Sequence, residues 1–290
     1  MKPAPAGAGA DCTLLLPDGR RLGYADYGTP DGRPVLYFHG APGSHHELTA
    51  DMIAQAQARS LRLLAPERPG YGWSDPHPGR SLHDWCTDVA ALADALGITR
   101  FSIVGQSMGG VYALACAQAL PARVDRLALC GGLAPLDAPG VTQGMAPQVS
   151  GLLAMAQNDP DGLRAALQTL AQTPSALLAA MAEFMPESDQ AVIQRHIAAL
   201  ENNFSHALRQ GVEGAVSDWR LLVGPWGFSP AQIRTEVHLW QGDQDCNAPP
   251  AMSAYLASVL TKHKLFMLPG LGHMALYRHW DDILEQLLGP

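Results

Sequence analysis

The sequence has few cysteines and lacks any long apolar run without charges. Its five cysteines are scattered over 290 residues and form no C-x-x-C pair, so neither a disulfide framework nor a zinc knuckle is expected. No apolar run reaches the roughly 18 residues that a membrane helix requires. The first residues also lack the apolar segment of a secretory signal. These absences predict a cytoplasmic protein with no membrane partner.

Basic residues are scarce as well. The chain carries 19 Lys and Arg against 27 Asp and Glu, for a formal net charge of −8, and has no basic stripe. Because phosphate binding needs clustered Lys and Arg, no nucleic-acid partner is expected. A G-x-G-x-x-G dinucleotide motif is also missing, and no cofactor is predicted. The expected partner is a small-molecule substrate, and nothing in the sequence selects between a monomer and a homodimer.

Short apolar segments of strand length alternate with helical patterns from about residue 34 onward. Continuous apolar runs of this kind are typical of strands buried on both faces of a parallel sheet. The alternation predicts an α/β fold with a doubly wound, mostly parallel sheet, opened by an antiparallel hairpin at its edge. The predicted strands are residues 12–16, 21–27, 34–38, 61–65, 101–104, 124–130, 237–240 and 264–268.

The alternation stops in the middle of the chain. Residues 134–231 are predicted to be a helical cap inserted into a core formed by residues 1–133 and 232–290. Apolar side chains in the insertion recur at spacings of three and four, as on one face of a helix. Prolines at 160, 174 and 186 predict helix boundaries there. The Pro/Ala/Gly-rich residues 1–10 are predicted to be disordered.

A nucleophile motif follows the predicted strand at residues 101–104. Gly105-Gln106-Ser107-Met108-Gly109 is a G-x-S-x-G between a strand and a helical pattern. A serine on a sharp turn needs neighbours without bulky side chains, and the two glycines meet that need. The pattern predicts that the Ser107 hydroxyl is exposed at the start of a helix, whose dipole favours developing negative charge.

A second glycine-containing turn, His39-Gly40-Ala41-Pro42-Gly43-Ser44, follows the strand at residues 34–38. Acyl transfer creates an oxyanion that needs two fixed backbone donors. Ala41 is predicted to supply one N–H group and Met108 the other. The alternative is a tight strand-to-helix turn without a role in binding.

Together these motifs resemble the α/β-hydrolase superfamily with a cap domain, and the resemblance covers nearly the whole chain. HGAPGS is similar to the family's H-G-x-P-G turn. Residues 67–74, ERPGYGWS, are similar to its D-x-P-G-x-G-x-S segment, with Glu67 where Asp is usual. The resemblance implies a catalytic triad in the order serine, acid, histidine, with the acid and the histidine each following a strand.

The acid and the histidine follow the last two predicted strands. Asp245 fits the family pattern G-x-x-D-x-x-x-P, and Asp243 is the alternative. Of the three histidines that follow the acid, only His273 lies in the loop directly after the last strand. We therefore predict that His273 is the base for Ser107 and that Asp245 orients it.

Other candidate site residues carry less information. The substrate-binding residues are unknown, with cap residues and Gln106 as possibilities. His45 and His46 lack H-E-x-x-H spacing and are interpreted as capping or solvent-exposed residues rather than zinc ligands, so no metal is predicted.

The sequence predicts a serine hydrolase acting on a small or medium, largely apolar ester. A lactonase, a carbon-carbon bond hydrolase, an aminopeptidase and a ligand receptor that keeps the triad remain alternatives. An aminopeptidase needs a cap carboxylate for the substrate amine, and the sequence does not rank the cap candidates Glu183, Glu187, Glu201 and Glu213.

Overall fold

The computed structural model describes residues 9–289, in which eight strands form one sheet. The strand order is β1-β2-β4-β3-β5-β6-β7-β8, and all neighbours from β4 to β8 pair in parallel. The predicted fold class and edge hairpin are confirmed. The strands are β1 (Gly9–Leu15), β2 (Arg21–Gly28), β3 (Arg33–Phe38), β4 (Leu61–Pro66), β5 (Phe101–Gln106), β6 (Val124–Cys130), β7 (Glu236–Gly242) and β8 (His263–Leu268).

Helices cover both faces of the sheet. One face packs against α2, α3 and α9 and the other against α1 and α10, because the buried strands are apolar on both sides. The helices are α1 (Ala50–Ala58), α2 (Leu82–Ala95), α3 (Met108–Ala119), α4 (Pro147–Asn158), α5 (Pro160–Leu170), α6 (Pro174–Ala182), α7 (Glu187–Ala207), α8 (Glu213–Val223), α9 (Pro250–Val259) and α10 (Leu276–Leu288). No helix in the described range is long and apolar enough to cross a membrane.

The start of the chain differs in part from its prediction. Residues 1–8 of the segment predicted to be disordered lie outside the described residues. Gly9 and Ala10 belong to β1, whose first residue pairs with Asp26 of β2. For these two residues the prediction of disorder is wrong, because they extend the edge strand.

Five helices, α4 to α8, lie between β6 and β7, and the described residues of this insertion contain no strand. Pro160 and Pro174 begin α5 and α6, and Pro186 precedes α7, as the proline positions predict. The apolar spacing of three and four that is expected across the insertion is interrupted in α7. Helix α7 kinks at His196, and the next residue, Ile197, is 49% exposed. Treating residues 134–231 as a separate cap domain remains a prediction.

The sheet topology brings the predicted motifs to one edge. Because β3, β5, β7 and β8 run in the same direction, the loops that follow them meet at the carboxyl end of the sheet. These loops hold the HGAPGS turn, Ser107, Asp245 and His273.

Candidate active site

Ser107 lies at the sharp turn between β5 and α3. Its backbone adopts φ 53° and ψ −121°, a conformation that residues with a side chain rarely adopt and that costs roughly 1–3 kcal/mol. Both flanking glycines are required by close contacts. A Cβ on Gly105 would lie 2.7 Å from the Gly109 carbonyl oxygen, and one on Gly109 would lie 2.1 Å from the Phe38 carbonyl oxygen. The fold thus maintains a strained turn at this serine.

His273 and Asp245 form a hydrogen-bonded pair beside Ser107. The His273 Nδ1–H donates to Asp245 Oδ2 at 2.8 Å. The second carboxylate oxygen accepts from two backbone N–H groups of its own loop, both at 2.9 Å. Asp243 is exposed and accepts instead from the Gly270 N–H at 2.7 Å. The structure therefore places Asp245, rather than Asp243, against the imidazole.

The His273 ring is buried, yet its pKa lies above the ordinary value. Burial lowers this pKa, but the carboxylates of Asp245, Asp189 and Glu47 raise it by more. Asp189 comes from α7, and its carboxylate accepts the backbone N–H groups of His273 at 2.7 Å and Met274 at 3.1 Å. Acidic residues thus hold His273 at both its ring and its backbone.

Ser107 and His273 line the same cavity. Within the described chain, no hydrogen bond joins the Ser107 hydroxyl to the imidazole, whose Nδ1 side is occupied by Asp245. Such bonds are often long or poorly aligned without substrate and tighten when substrate binds. The structure therefore brings the histidine and the acid into direct contact and the serine into the same cavity.

Three further predicted residues line this cavity: Ala41, Met108 and Gln106. Met108 follows Ser107 directly as the first residue of α3. Ala41 follows Gly40, where a Cβ would lie 3.8 Å from the Ser107 Cβ. The Gln106 amide donates to the His273 carbonyl oxygen at 3.1 Å and is 3% exposed. Gln106 thus holds the histidine loop, while Ala41 and Met108 are positioned at the nucleophile.

A buried ion-pair network holds the HGAPGS turn. Arg68 donates from Nη1 to the His39 carbonyl at 2.6 Å and from Nη2 to the Gly40 carbonyl at 2.7 Å. Its Nε donates to Asp218 of α8 at 2.9 Å. Burial opposes ionisation of Asp218, but Arg68 and Arg80 hold its pKa below the ordinary value. An insertion carboxylate therefore acts on the backbone of the turn through Arg68.

The cavity has a volume of about 440 Å³, within the usual range for small-molecule sites. Most of its walls are aliphatic or aromatic and come from the insertion, including Leu152, Leu153, Met181, Phe184, Ile193 and Phe204. Glu47 and Glu183 are its acidic lining residues. The cavity is therefore suited to an apolar substrate with a polar reacting group at the serine.

Three acidic residues that hold the site were not predicted from the sequence: Glu47, Asp189 and Asp218. Glu47 accepts the Gly40 N–H at 2.9 Å and the Tyr37 hydroxyl at 2.7 Å, and burial raises its pKa. These acids belong to no motif. The one available signal was a carboxylate placed among apolar residues of a predicted helix, as at Asp218 in AVSDWRLLV.

The interpretation of His45 and His46 is wrong for His45. Ser44, not a histidine, caps the 3₁₀ turn His45–Glu47 through its hydroxyl. His45 is 1% exposed, and its Nδ1 lies 3.0 Å from Glu67 Oε1, whereas His46 is half-buried. The His45 ring is buried because α7 packs over this turn and brings His206 against it. A local sequence pattern does not reveal such packing.

The sheet order and the strained serine turn beside a histidine–carboxylate pair define an α/β hydrolase. Residues 33–279 match the family model described as the alpha/beta hydrolase fold. The chain belongs to this family, and membership supports a hydrolase activity.

Individual relatives differ in activity. The chain is 29% identical to a non-heme chloroperoxidase of Streptomyces lividans, over 95% of this chain and 98% of that protein. It is 36% identical to a proline iminopeptidase of Xylella fastidiosa, but over only 41% of this chain and 38% of the relative. An esterase from Exiguobacterium antarcticum has the same fold, with a TM-score of 0.73 at 20% identity over 97% of this chain and 98% of the esterase.

Proposed function

We propose that the protein is a serine hydrolase that cleaves a small or medium, largely apolar ester through an acyl-enzyme on Ser107. The observation that carries this proposal is the convergence of Ser107 and the His273–Asp245 pair on one cavity with mostly apolar walls. A serine nucleophile separates the protein from family members that use a carboxylate nucleophile.

In the acylation step, Ser107 Oγ attacks the ester carbonyl and its proton passes to His273 Nε2. Asp245 accepts the Nδ1–H at 2.8 Å, which fixes the tautomer and stabilises the imidazolium. The N–H groups of Ala41 and Met108 bind the oxyanion. The intermediate then expels the alcohol, which takes the proton from His273.

Deacylation repeats this sequence with water. His273 removes a proton from water, and the hydroxide attacks the acyl-enzyme carbonyl. Collapse of the second intermediate breaks the bond to Ser107 Oγ, which recovers its proton from His273 and releases the carboxylic acid. No other reactant is needed.

A second candidate activity is that of an aminopeptidase. Of the four cap glutamates, Glu183 lines the cavity, whereas Glu213 binds Arg164 at 2.6 Å. A carboxylate at the cavity wall can bind a substrate ammonium group. The partial match to proline iminopeptidases supports the same candidate. Glu183→Gln would then reduce hydrolysis of amino-acid anilides and leave simple esters unaffected.

The first experiment is labelling with a fluorophosphonate probe followed by peptide mapping. We expect modification of Ser107, and the absence of labelling there would refute the proposed nucleophile. A panel of chromogenic esters, lactones and prolyl anilides then ranks the substrates. Multiple turnovers on butyrate esters support the esterase. One turnover with retained ligand supports a receptor instead, and turnover of anilides alone supports the aminopeptidase.

A further inference from the structure

A second cluster of chemically active side chains lies where the end of α7 meets the turn after β3. It consists of Asp11 of β1, His45 and His46 of the 3₁₀ turn, and His206 of α7. Each side chain offers one ligand atom, and these atoms all lie within 4.8 Å of one another. We call this group the histidine cluster; none of its members belongs to the proposed triad.

The three imidazole rings are packed tightly together. Their centroids are 4.1 Å apart for His45 and His46, 4.8 Å for His45 and His206, and 4.7 Å for His46 and His206. The planes of the three pairs are inclined by 41°, 68° and 82°, so the rings do not form a parallel stack. Three imidazole rings thus lie in mutual contact at one junction.

Glu67 orients the innermost ring. Its Oε1 lies 3.0 Å from His45 Nδ1, so Nδ1 donates to this carboxylate and Nε2 is the ring nitrogen left for a metal. That Nε2 atom is buried, has no hydrogen-bond partner among the described residues and lies 3.8 Å from Asp11 Oδ1. A carboxylate behind a histidine whose other nitrogen is free is the usual outer-shell arrangement of metal-binding histidines.

Glu67 also departs from the family pattern, in which Asp is usual. The carboxylate lies 2.8 Å from His206 Nε2 as well, and it accepts the Trp73 N–H at 2.7 Å. The additional methylene of Glu extends the carboxylate further from the backbone than Asp would. The residue that differs from the family pattern, Glu67, is thus also the residue that contacts two rings of the cluster.

The donor set matches a particular class of ion. Imidazole nitrogens with one carboxylate oxygen suit Zn²⁺, which binds such ligands at about 2.0–2.2 Å in tetrahedral geometry. The ligand atoms must then lie about 3.4 Å apart, closer than the 4.8 Å limit of the cluster. The Asp11 side chain is 52% exposed, and its Oδ1 accepts from the Trp73 indole N–H at 2.6 Å, a bond that zinc coordination through Oδ1 would have to replace or share.

We propose that Asp11, His45, His46 and His206 form a Zn²⁺ site that links α7 to β1 and to the turn after β3. The site is separate from the cavity chemistry and does not depend on the proposed esterase activity. The thermal stability of the protein should therefore rise with the Zn²⁺ concentration, because an ion that binds only the folded state stabilises that state.

Metal binding to the untagged full-length protein tests this inference. The protein is stripped with EDTA, dialysed and titrated with ZnCl₂ by calorimetry, and bound metal is counted by mass spectrometry. We expect one Zn²⁺ per chain. His46→Ala and His206→Ala should weaken binding by more than about 100-fold and Glu67→Asp by about 10–100-fold. His196→Ala, on the same helix but outside the cluster, should bind as the wild type does.

X-ray absorption of the wild-type zinc complex gives a readout that does not depend on any variant. We expect a first shell of nitrogen and oxygen only, with imidazole scattering. A sulfur ligand would place the ion at a cysteine and overturn the proposal. The same conclusion follows if the wild type takes up no stoichiometric Zn²⁺, or if folded His46→Ala binds it unchanged.

Discussion

The two sides of the cavity are built differently. The side formed by the sheet carries the proposed reacting groups, Ser107, Asp245 and His273, on loops that follow parallel strands. The side formed by the helical insertion is mostly apolar at the cavity surface. The insertion also contributes two buried carboxylates. Asp189 accepts the backbone N–H of His273, and Asp218 binds the side chain of Arg68, which holds the HGAPGS turn.

This difference indicates that the two sides of the cavity have separate roles. Residues on the sheet side are fixed by backbone conformation and would perform the bond making and breaking. The insertion would determine substrate specificity through its apolar wall. It would also hold the sheet-side loops in position through a few buried charges. Four variants test these separate roles, from the largest expected effect to the smallest.

Ser107→Ala should abolish turnover on the sheet side while the insertion stays intact. We expect a loss of about 10⁴–10⁶ in kcat on the best ester, because no other group replaces the nucleophile. The far-UV circular dichroism and Tm should stay near wild type, and relief of the strained serine turn is not expected, since alanine also has a Cβ. Hydrolysis at the wild-type rate in this variant would refute the proposed mechanism.

Asp245→Asn should reduce kcat by about 10⁴, because an amide cannot hold the imidazole in the required tautomer. Asp243→Asn is the matched control, two residues away in the same loop. Asp243 contacts the Gly270 N–H rather than the imidazole, so this variant should keep kcat within a few-fold of wild type. Equal losses in the two variants would contradict the assignment of the acid.

Asp218→Ala tests the insertion side. Removing this carboxylate leaves the buried Arg68 and Arg80 without their counter-ion, which should lower the free energy of unfolding by about 3–5 kcal/mol. Asp161→Ala removes a carboxylate that is 93% exposed, also paired with an arginine, and should change stability by less than about 1 kcal/mol. Urea unfolding of both variants measures the contrast, and similar losses would argue against a structural role for the buried network.

The fold and the sheet-side residues could be predicted because their signals are local. A strand, a glycine-bounded serine and a glycine–histidine loop each occupy a few consecutive residues, and a parallel sheet brings such loops to one edge. The resemblance to the family pattern G-x-x-D-x-x-x-P also favoured Asp245 over Asp243. The sequence thus predicted the contact that the structure shows between Asp245 and His273.

The insertion side could not be predicted, because its contacts join residues far apart in sequence. Asp189 lies 84 residues from His273, and Asp218 lies 150 residues from Arg68. A carboxylate at the start of a helix, such as Asp189, is an ordinary feature of helix ends. Which backbone it meets depends on how α7 packs, and that packing has no sequence signature.

Asp189→Asn tests whether the insertion acts on the proposed base itself. The pKa of His273 is raised partly by the Asp189 charge, and a base is active only when neutral, so kcat/KM should fall as pH drops through that pKa. Removing the charge lowers this pKa and should move the acid limb of the pH profile to lower pH. Asparagine keeps one acceptor oxygen for the loop, so the free energy of unfolding should fall by no more than about 3 kcal/mol.

Glu187→Gln is the matched control for Asp189→Asn. It removes the same charge from the same turn of α7 at an exposed position, and its pH profile should match that of the wild type. An acid limb that shifts equally in both variants would mean that α7 contributes only its general field, whereas a shift confined to Asp189→Asn would mean that the insertion tunes the base through direct contact.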